Sequence, residues 1–154
     1  MNIKKIFAQN GLVIQEESFT CGPCTLLNVL RLRGDPSHNE QELVRRCNAK
    51  PGIGTSHEDM VKVAPEIGLK LVKEKREATI EDIERHIDDD GAFVIVNYID
   101  AFSGHGHYAI ITEYDDKAFY FSDCSMGLFR LEKEFFKKFW HSASGIPQWY
   151  MAVK

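Results

Sequence analysis

The hydrophobic period changes partway along the chain, and that change limits the fold more than any single motif. Before residue 92 the apolar residues recur mostly at helical spacing. Cys21 to Arg33 reads as a helix with Leu26, Leu27, Val29 and Leu30 on a broad apolar face and Gly34 as its stop. Ser37 with Glu40 forms a capping-box pattern ahead of Leu43, Val44 and Cys47. Thr55 with Glu58 repeats it ahead of Met60, Val61, Ala64 and Ile67, with Gly68 closing that helix. Leu69 to Val72 reads as a short strand. Thr79 to Ile87 reads as a helix presenting Ile80, Ile83 and Ile87, ended by an Asp88, Asp89, Asp90, Gly91 turn. From Ala92 onward the pattern turns strand-like, in Ala92 to Ile99, His107 to Tyr114, Ala118 to Phe121 and Gln148 to Val153. Asp115 and Asp116 mark a tight turn, and Leu131 to His141 reads as a short amphipathic helix before the last strand. Helices first and strands afterwards predict an α+β fold with an antiparallel sheet.

The bulk properties narrow the function. A length of 154 residues suits one domain, residues 1–154, with a real hydrophobic core. A formal net charge of -4 gives no electrostatic reason to expect nucleic acid or an anionic membrane as partner. No apolar stretch reaches the roughly 18 residues that span a bilayer, so no membrane segment is expected. Met1 to Phe7 carries lysines but runs into Ala8, Gln9, Asn10 and Gly11, which is not a signal-peptide core. The expected location is the cytoplasm, where Cys21, Cys24, Cys47 and Cys124 are free thiols.

Four residues stand in contexts that suit cysteine-nucleophile chemistry: Gln15, Cys21, His107 and Asp123. A thiol nucleophile needs a stabilised thiolate, a base, a group that orients the base and a donor for the oxyanion. Cys21 sits at the amino end of its helix, where unpaired N–H groups and the macrodipole favour the thiolate. Gly22 permits close approach there, and Pro23 is tolerated in a first helical turn. Taken singly, Cys21 reads more readily as a small buried hydrophobe and Gln15 as a surface amide, while His107 reads equally as a satisfied core histidine. His107 opens a strand-like run after the flexible Ser103 to Gly106, which holds an imidazole rigidly while leaving it reachable. Asp123 ends the next strand. A hairpin centred on Asp115 and Asp116 sets positions sixteen apart roughly opposite, so His107 and Asp123 are expected to meet across the ladder.

The string Gln15-(five residues)-Cys21-Gly22-Pro23, followed by an apolar helix, resembles the nucleophile segment of papain-like peptidases. The segment Gly106-His107-Tyr108-Ala109-Ile110-Ile111, then Asp123 after an aromatic strand, resembles their bacteriocin-processing branch, the double-glycine-leader peptidases. Thr20 stands where that branch often has aspartate, and Cys124 where proline is common. The resemblance implies a papain-like fold, with amino-terminal helices carrying the nucleophile packed on a carboxy-terminal sheet. It implies Cys21 as nucleophile, His107 as general base and acid, Asp123 as the orienting residue and Gln15 as oxyanion donor. The implied activity is hydrolysis of a peptide or small amide through a thioester, with no cofactor. Acyl transfer to an amine or thiol would use the same groups.

Other chemistries fit parts of the pattern. Cys21-Gly22-Pro23-Cys24 is also the tetrapeptide of thioredoxin-like dithiol oxidoreductases. That fold needs a buried strand leading into the first cysteine, whereas Gln15 to Thr20 is polar, and more chain than the seven residues that follow Pro147. A structural zinc on Cys21, Cys24, Cys124 and a histidine lacks the second Cys-x-x-Cys pair such sites use. A catalytically silent peptide-binding module of the same fold would show lost catalytic residues, and here all four positions carry suitable types. Cys24, one turn past Cys21, reads as buried and able to trap Cys21 as a disulfide under oxidation. The Asp88 to Asp90 run reads as solvated rather than as a calcium loop.

Overall fold

The computed structural model describes residues 2–154 and contains one six-stranded antiparallel sheet in the order β1-β6-β2-β3-β4-β5. The strands are β1 (Leu71–Lys75), β2 (Phe93–Ile99), β3 (Gly106–Tyr114), β4 (Ala118–Asp123), β5 (Gly127–Glu132) and β6 (Tyr150–Val153). Helices α1 (Ile3–Gln9), α2 (Cys21–Leu32), α3 (Glu40–Arg46), α4 (His57–Glu66), α5 (Ile80–Asp90) and α6 (Lys133–Phe139) complete it. The α+β, papain-like arrangement expected from the sequence is the one observed.

The helices cover both faces of the sheet. On one face Leu26, Leu30, Met60 and Val63 of α2 and α4 pack on Ile95, Ile110 and Met151. On the other, Ile80, Ile83 and Phe136 of α5 and α6 pack on Val94, Val96, Ala109, Ile111 and Phe121. Burial from both sides is why Phe93 to Val96 of β2 read as a continuous apolar run rather than an alternating one.

Several boundaries differ from the sequence reading, each for a local reason. The cap of α3 is Asn39, whose side chain accepts from Glu42 N, while Ser37 folds back on Asp35. The cap of α4 is Ser56 rather than Thr55. Asp88 to Asp90 belong to the last turn of α5 instead of a turn beyond it. Carboxylates oppose the dipole there, and Asp90 is offset by His86 and Asp88 by the Tyr114 hydroxyl. Gly91 ends that helix in the left-handed region at φ 60°. Leu131 and Glu132 lie in β5, a strand the sequence reading did not assign, although Phe129 and Leu131 turn inward between exposed neighbours. The last strand begins at Tyr150 because Gln148 is left-handed, at φ 47°.

The lead-in to α2 is not a strand but is held like one. Asn28, fully buried on α2, accepts from Val13 N at 2.7 Å and donates to Val13 O at 2.9 Å, a two-point clamp. Its Nδ2 also lies 3.3 Å from Cys124 Sγ, and Gln15 N donates to Cys124 O at 3.0 Å. These bonds tie the segment before Cys21 to both α2 and the end of β4. Asn28→Ala leaves Val13 N–H unpaired and its C=O with only the Cys24 thiol, and we expect a loss of about 1–3 kcal/mol. A lower urea midpoint at unchanged slope is the expected reading.

Candidate active site

Helix α2 starts at Cys21 without a side-chain cap. Thr20 occupies the cap position, but its hydroxyl is engaged by Glu17 O and by the buried Glu40 carboxylate at 2.8 Å. The N–H groups of Cys21 and Gly22 are therefore left without an intrahelical acceptor, and Pro23 has none to offer. The chain passes closely here: a Cβ on Gly22 would fall 2.9 Å from Thr55 Cβ and 3.0 Å from Met60 Sδ. The requirement at this position is for the absence of a side chain rather than for unusual backbone angles.

His107 and Asp123 meet, though not as directly opposed residues. A bulge between Ile111 and Glu113 shifts the β3–β4 register so that Ile110 pairs with Ser122. Continuing that register, Asp123 falls opposite Ala109, and His107 reaches it diagonally on the same face. His107 Nε2 lies 2.9 Å from Asp123 Oδ1. Cys21, at the start of α2, is near enough to the ring to favour its protonated form together with Asp123.

The electrostatics follow from that position. Burial disfavours charge on His107, yet the hydrogen bond and charge of Asp123, with Cys21 nearby, outweigh it and hold the imidazole well above its ordinary value. For Asp123 burial pushes upward, but the His107 bond and charge, with the Ser125 and Met126 N–H groups, hold it well below the usual carboxylate range. Asp123 Oδ1 accepts from Ser125 N at 2.8 Å, Ser125 Oγ at 2.9 Å and Met126 N at 3.0 Å. One carboxylate thus ends β4, builds the turn into β5 and faces the imidazole. Its other oxygen accepts from the Tyr98 hydroxyl at 2.9 Å. Tyr98 and Ser125 were not singled out from the sequence. Tyr98 is hidden in an apolar strand, whereas Ser125, two residues after Asp123, carried a turn signal.

Gln15 lies close in sequence and is half-buried, but its side chain is turned onto Glu17 O, which accepts from Nε2 at 2.7 Å. Its Oε1 is buried without a partner. The second Nε2 hydrogen is uncommitted. Cys24 is directed to the Val13 carbonyl at 3.3 Å, not into a dithiol arrangement with Cys21. Burial pushes the Cys47 thiol up to about 12 and the Cys124 thiol well above its ordinary value. His105 is exposed in the loop ahead of β3. Among the described residues, no group of three or more His, Cys, Asp or Glu side chains is placed to hold a metal ion.

A helix that begins at a cysteine and packs on an antiparallel sheet presenting His107 and Asp123 defines the papain-like class of cysteine peptidase. The sequence matches the peptidase C39 family over residues 9–145, and the chain belongs to that family. No curated protein matches it. Among solved structures, it is similar to a double glycine motif protease from an AMS/PCAT transporter in complex with the leader peptide. That match has 19% identity and TM-score 0.69 and covers 93% of this chain and 91% of that one. The peptidase domain of Streptococcus ComA aligns at 18% identity and TM-score 0.68, covering 92% and 96%. A C39-like peptidase from Bacillus anthracis aligns at 15% identity and TM-score 0.70, covering 94% and 96%. These likenesses support the fold, and the family match carries the activity: the chain is a cysteine peptidase.

Two outcomes test the geometry. Gly22→Ala must push the Thr55 segment or the start of α2 aside, at a cost of about 1–3 kcal/mol. A fall in activity larger than the unfolded fraction explains should accompany it. The stability gap between the wild type and Asp123→Asn should be widest between about pH 4 and pH 6.5. Below the ordinary Asp value near 3.9 the unfolded chain takes up the proton first, so the gap shrinks until native Asp123 itself protonates at about 2. Above the ordinary His value near 6.5 the unfolded chain loses its proton first, so the gap narrows progressively until native His107 discharges at about 11. Urea unfolding across a pH series reads both limbs.

Proposed function

We propose that Cys21 is the nucleophile, His107 the general base and acid, Asp123 the residue that orients it, and Gln15 with the Cys21 N–H the oxyanion donors of a peptide hydrolase. The observation that carries this reading is the 2.9 Å bond of His107 to the buried Asp123 carboxylate, with Cys21 at the start of α2 close enough to act on the same ring. The thiolate attacks the scissile carbonyl carbon, and its oxygen takes up negative charge. That oxygen is met by the free Cys21 N–H and by the uncommitted Gln15 amide hydrogen, once the side chain swings from Glu17 O. Imidazolium His107 gives its proton to the departing amine, leaving a thioester on Cys21. Neutral His107 then takes a proton from water, the resulting hydroxide displaces the thiolate, and the carboxylic acid leaves.

The substrate class is a peptide, and we favour one carrying a double-glycine leader, by analogy with the transporter protease that is similar in fold. Residues 1–154 would act as one domain, since every strand joins a single sheet. Four free cysteines suit a reducing compartment, which supports a cytoplasmic location. No helix among the described residues is long and apolar enough to cross a membrane.

Labelling with a thiol-directed electrophile near neutral pH, followed by mapping of the modified residue, tests the nucleophile without knowledge of the substrate. Cys21 should react far faster than Cys24, Cys47 or Cys124, and His107→Ala should slow it. Equal rates at all four would sink the assignment. On a double-glycine peptide, Cys21→Ala should abolish cleavage and Gln15→Ala should lower kcat by about 10²-fold. Asp123→Asn should leave a reduced rate. Cys24→Ala should keep most activity with a stability loss of about 1 kcal/mol, because its thiol only packs and bonds to Val13 O.

A further inference from the structure

Tyr98 lies directly across the β2–β3 ladder from His107, where the two residues are register partners. Its ring stands perpendicular to the imidazole, with centroids 5.9 Å apart and an interplanar angle of 90°. Its hydroxyl donates to Asp123 Oδ2 at 2.9 Å, the carboxylate oxygen that His107 does not use. The side chain is buried, and Phe121 and Phe136 pack against its ring, so it has little freedom to leave. One residue therefore touches both members of the base–carboxylate pair, the ring on one and the hydroxyl on the other.

We propose that Tyr98 is a positioning residue of the hydrolytic site, locking the Asp123 carboxylate so that Oδ1 stays in line with His107 while its ring walls the imidazole into that line. The inference rests on the roles proposed above for His107 and Asp123. The physical argument runs through Asp123. Donors from Ser125 and Met126 crowd Oδ1, whereas Tyr98 is the hydrogen-bond donor found on Oδ2 among the described residues. Without it, a fully buried carboxylate oxygen has lost its donor, and the group gains by turning toward any other donor or proton. Turning takes Oδ1 out of line with Nε2, and the imidazolium loses its partner. A tyrosine is suited to this place because its hydroxyl stays protonated: burial and the neighbouring Asp123 and Asp100 carboxylates all disfavour a phenolate. The titratable groups facing the pair are Tyr98 and Asp100 with β2, Cys21 from α2, and Asp123 itself.

The decisive variant is Tyr98→Phe, which keeps the ring and removes the hydroxyl. Tyr98→Leu removes the wall as well. Tyr150→Phe is the control, since Tyr150 is another buried tyrosine whose hydroxyl bonds to a histidine, His86, at 2.8 Å outside the site. Two readouts are needed: kcat and KM on the double-glycine peptide across pH, and titration of the His107 ring by NMR on uniformly folded protein. Tyr98→Phe should lower kcat about ten-fold with KM little changed, as expected for a lost hydrogen bond to a charged group. The alkaline limb of its activity and the His107 titration should both move to lower pH. Tyr98→Leu should lower kcat further if it folds, and Tyr150→Phe should lose stability without moving either titration. The proposal is overturned if Tyr98→Phe leaves kcat and the His107 titration as in the wild type, or if its loss of activity merely tracks its unfolded fraction. The NMR titration does not depend on turnover. A protein in which Cys21→Ala keeps its activity would refute the assigned nucleophile, yet His107 would still report whether Tyr98 holds the pair.

Discussion

The buried carboxylate of Asp123 constrains everything around it. A carboxylate taken wholly out of water costs several kcal/mol unless its charge is met and its lone pairs are filled. Both conditions are satisfied by neighbours in the chain and in the sheet: two N–H groups and a hydroxyl from the turn that follows, His107 from β3 and the Tyr98 hydroxyl from β2. A charged imidazole beside it is then the favoured state. The polar chemistry at this end of the sheet thus follows from placing one acid where water cannot reach it.

The second requirement is that the thiol arrive at the right height against the sheet, and here the contacts are with backbone. Thr25 Oγ1 lies 2.6 Å from Cys21 O and 3.3 Å from Tyr108 O, bridging the first turn of α2 to β3. Asn28 repeats the device one turn later, clamping Val13 and reaching Cys124. Small polar side chains at the spacing of a helix face connect the helix to both the lead-in segment and the end of β4. Glu40 adds a tether from the far side, its carboxylate accepting from Thr20 Oγ1 and Glu16 N, so the stretch between Gln15 and Cys21 is fixed at both ends.

The parts of this design that were legible in the sequence are those with a local signature. Cys21 opening a helix, His107 opening a strand and Asp123 closing the next one could be read from periodicity and punctuation. Their convergence could be read from a hairpin turn. The manner of convergence could not. The hairpin closes Asp115 on Ala118, one residue later than expected, and the bulge at Thr112, which has no sequence mark, recovers only one position, so the pairing is diagonal. Side-chain orientation was also out of reach: one Gln15 amide hydrogen lies on Glu17 O, and its Oε1 is buried without a partner. Tyr98 escaped because a tyrosine within Val-Ile-Val-Asn-Tyr-Ile is indistinguishable from a core aromatic until the strand facing it is known. The caps at Asn39 and Ser56 were missed by one or two residues, since several neighbouring side chains there are competent caps and loop geometry selects among them.

The start of β3 shows how two consecutive residues serve two layers. Alternation along a strand sends His107 and Tyr108 to opposite faces. His107 goes to the face shared with α5 and α6, where Tyr98 and Asp123 wait. Tyr108 goes to the face under α2 and α4, where its hydroxyl donates to Thr55 O at 2.8 Å and its ring meets Trp149 edge-on. Thr55 in turn is the residue that fills the space a side chain on Gly22 would need. A shift of β3 along its axis would therefore disturb the imidazole and the backbone at Cys21 and Gly22 together. The β2–β3 pairing, in which Asn97 and Tyr98 face Tyr108 and His107, resists that shift. The rigidity that a thiol–imidazole pair requires is thus supplied by the sheet's register, with the loops left to meet the substrate.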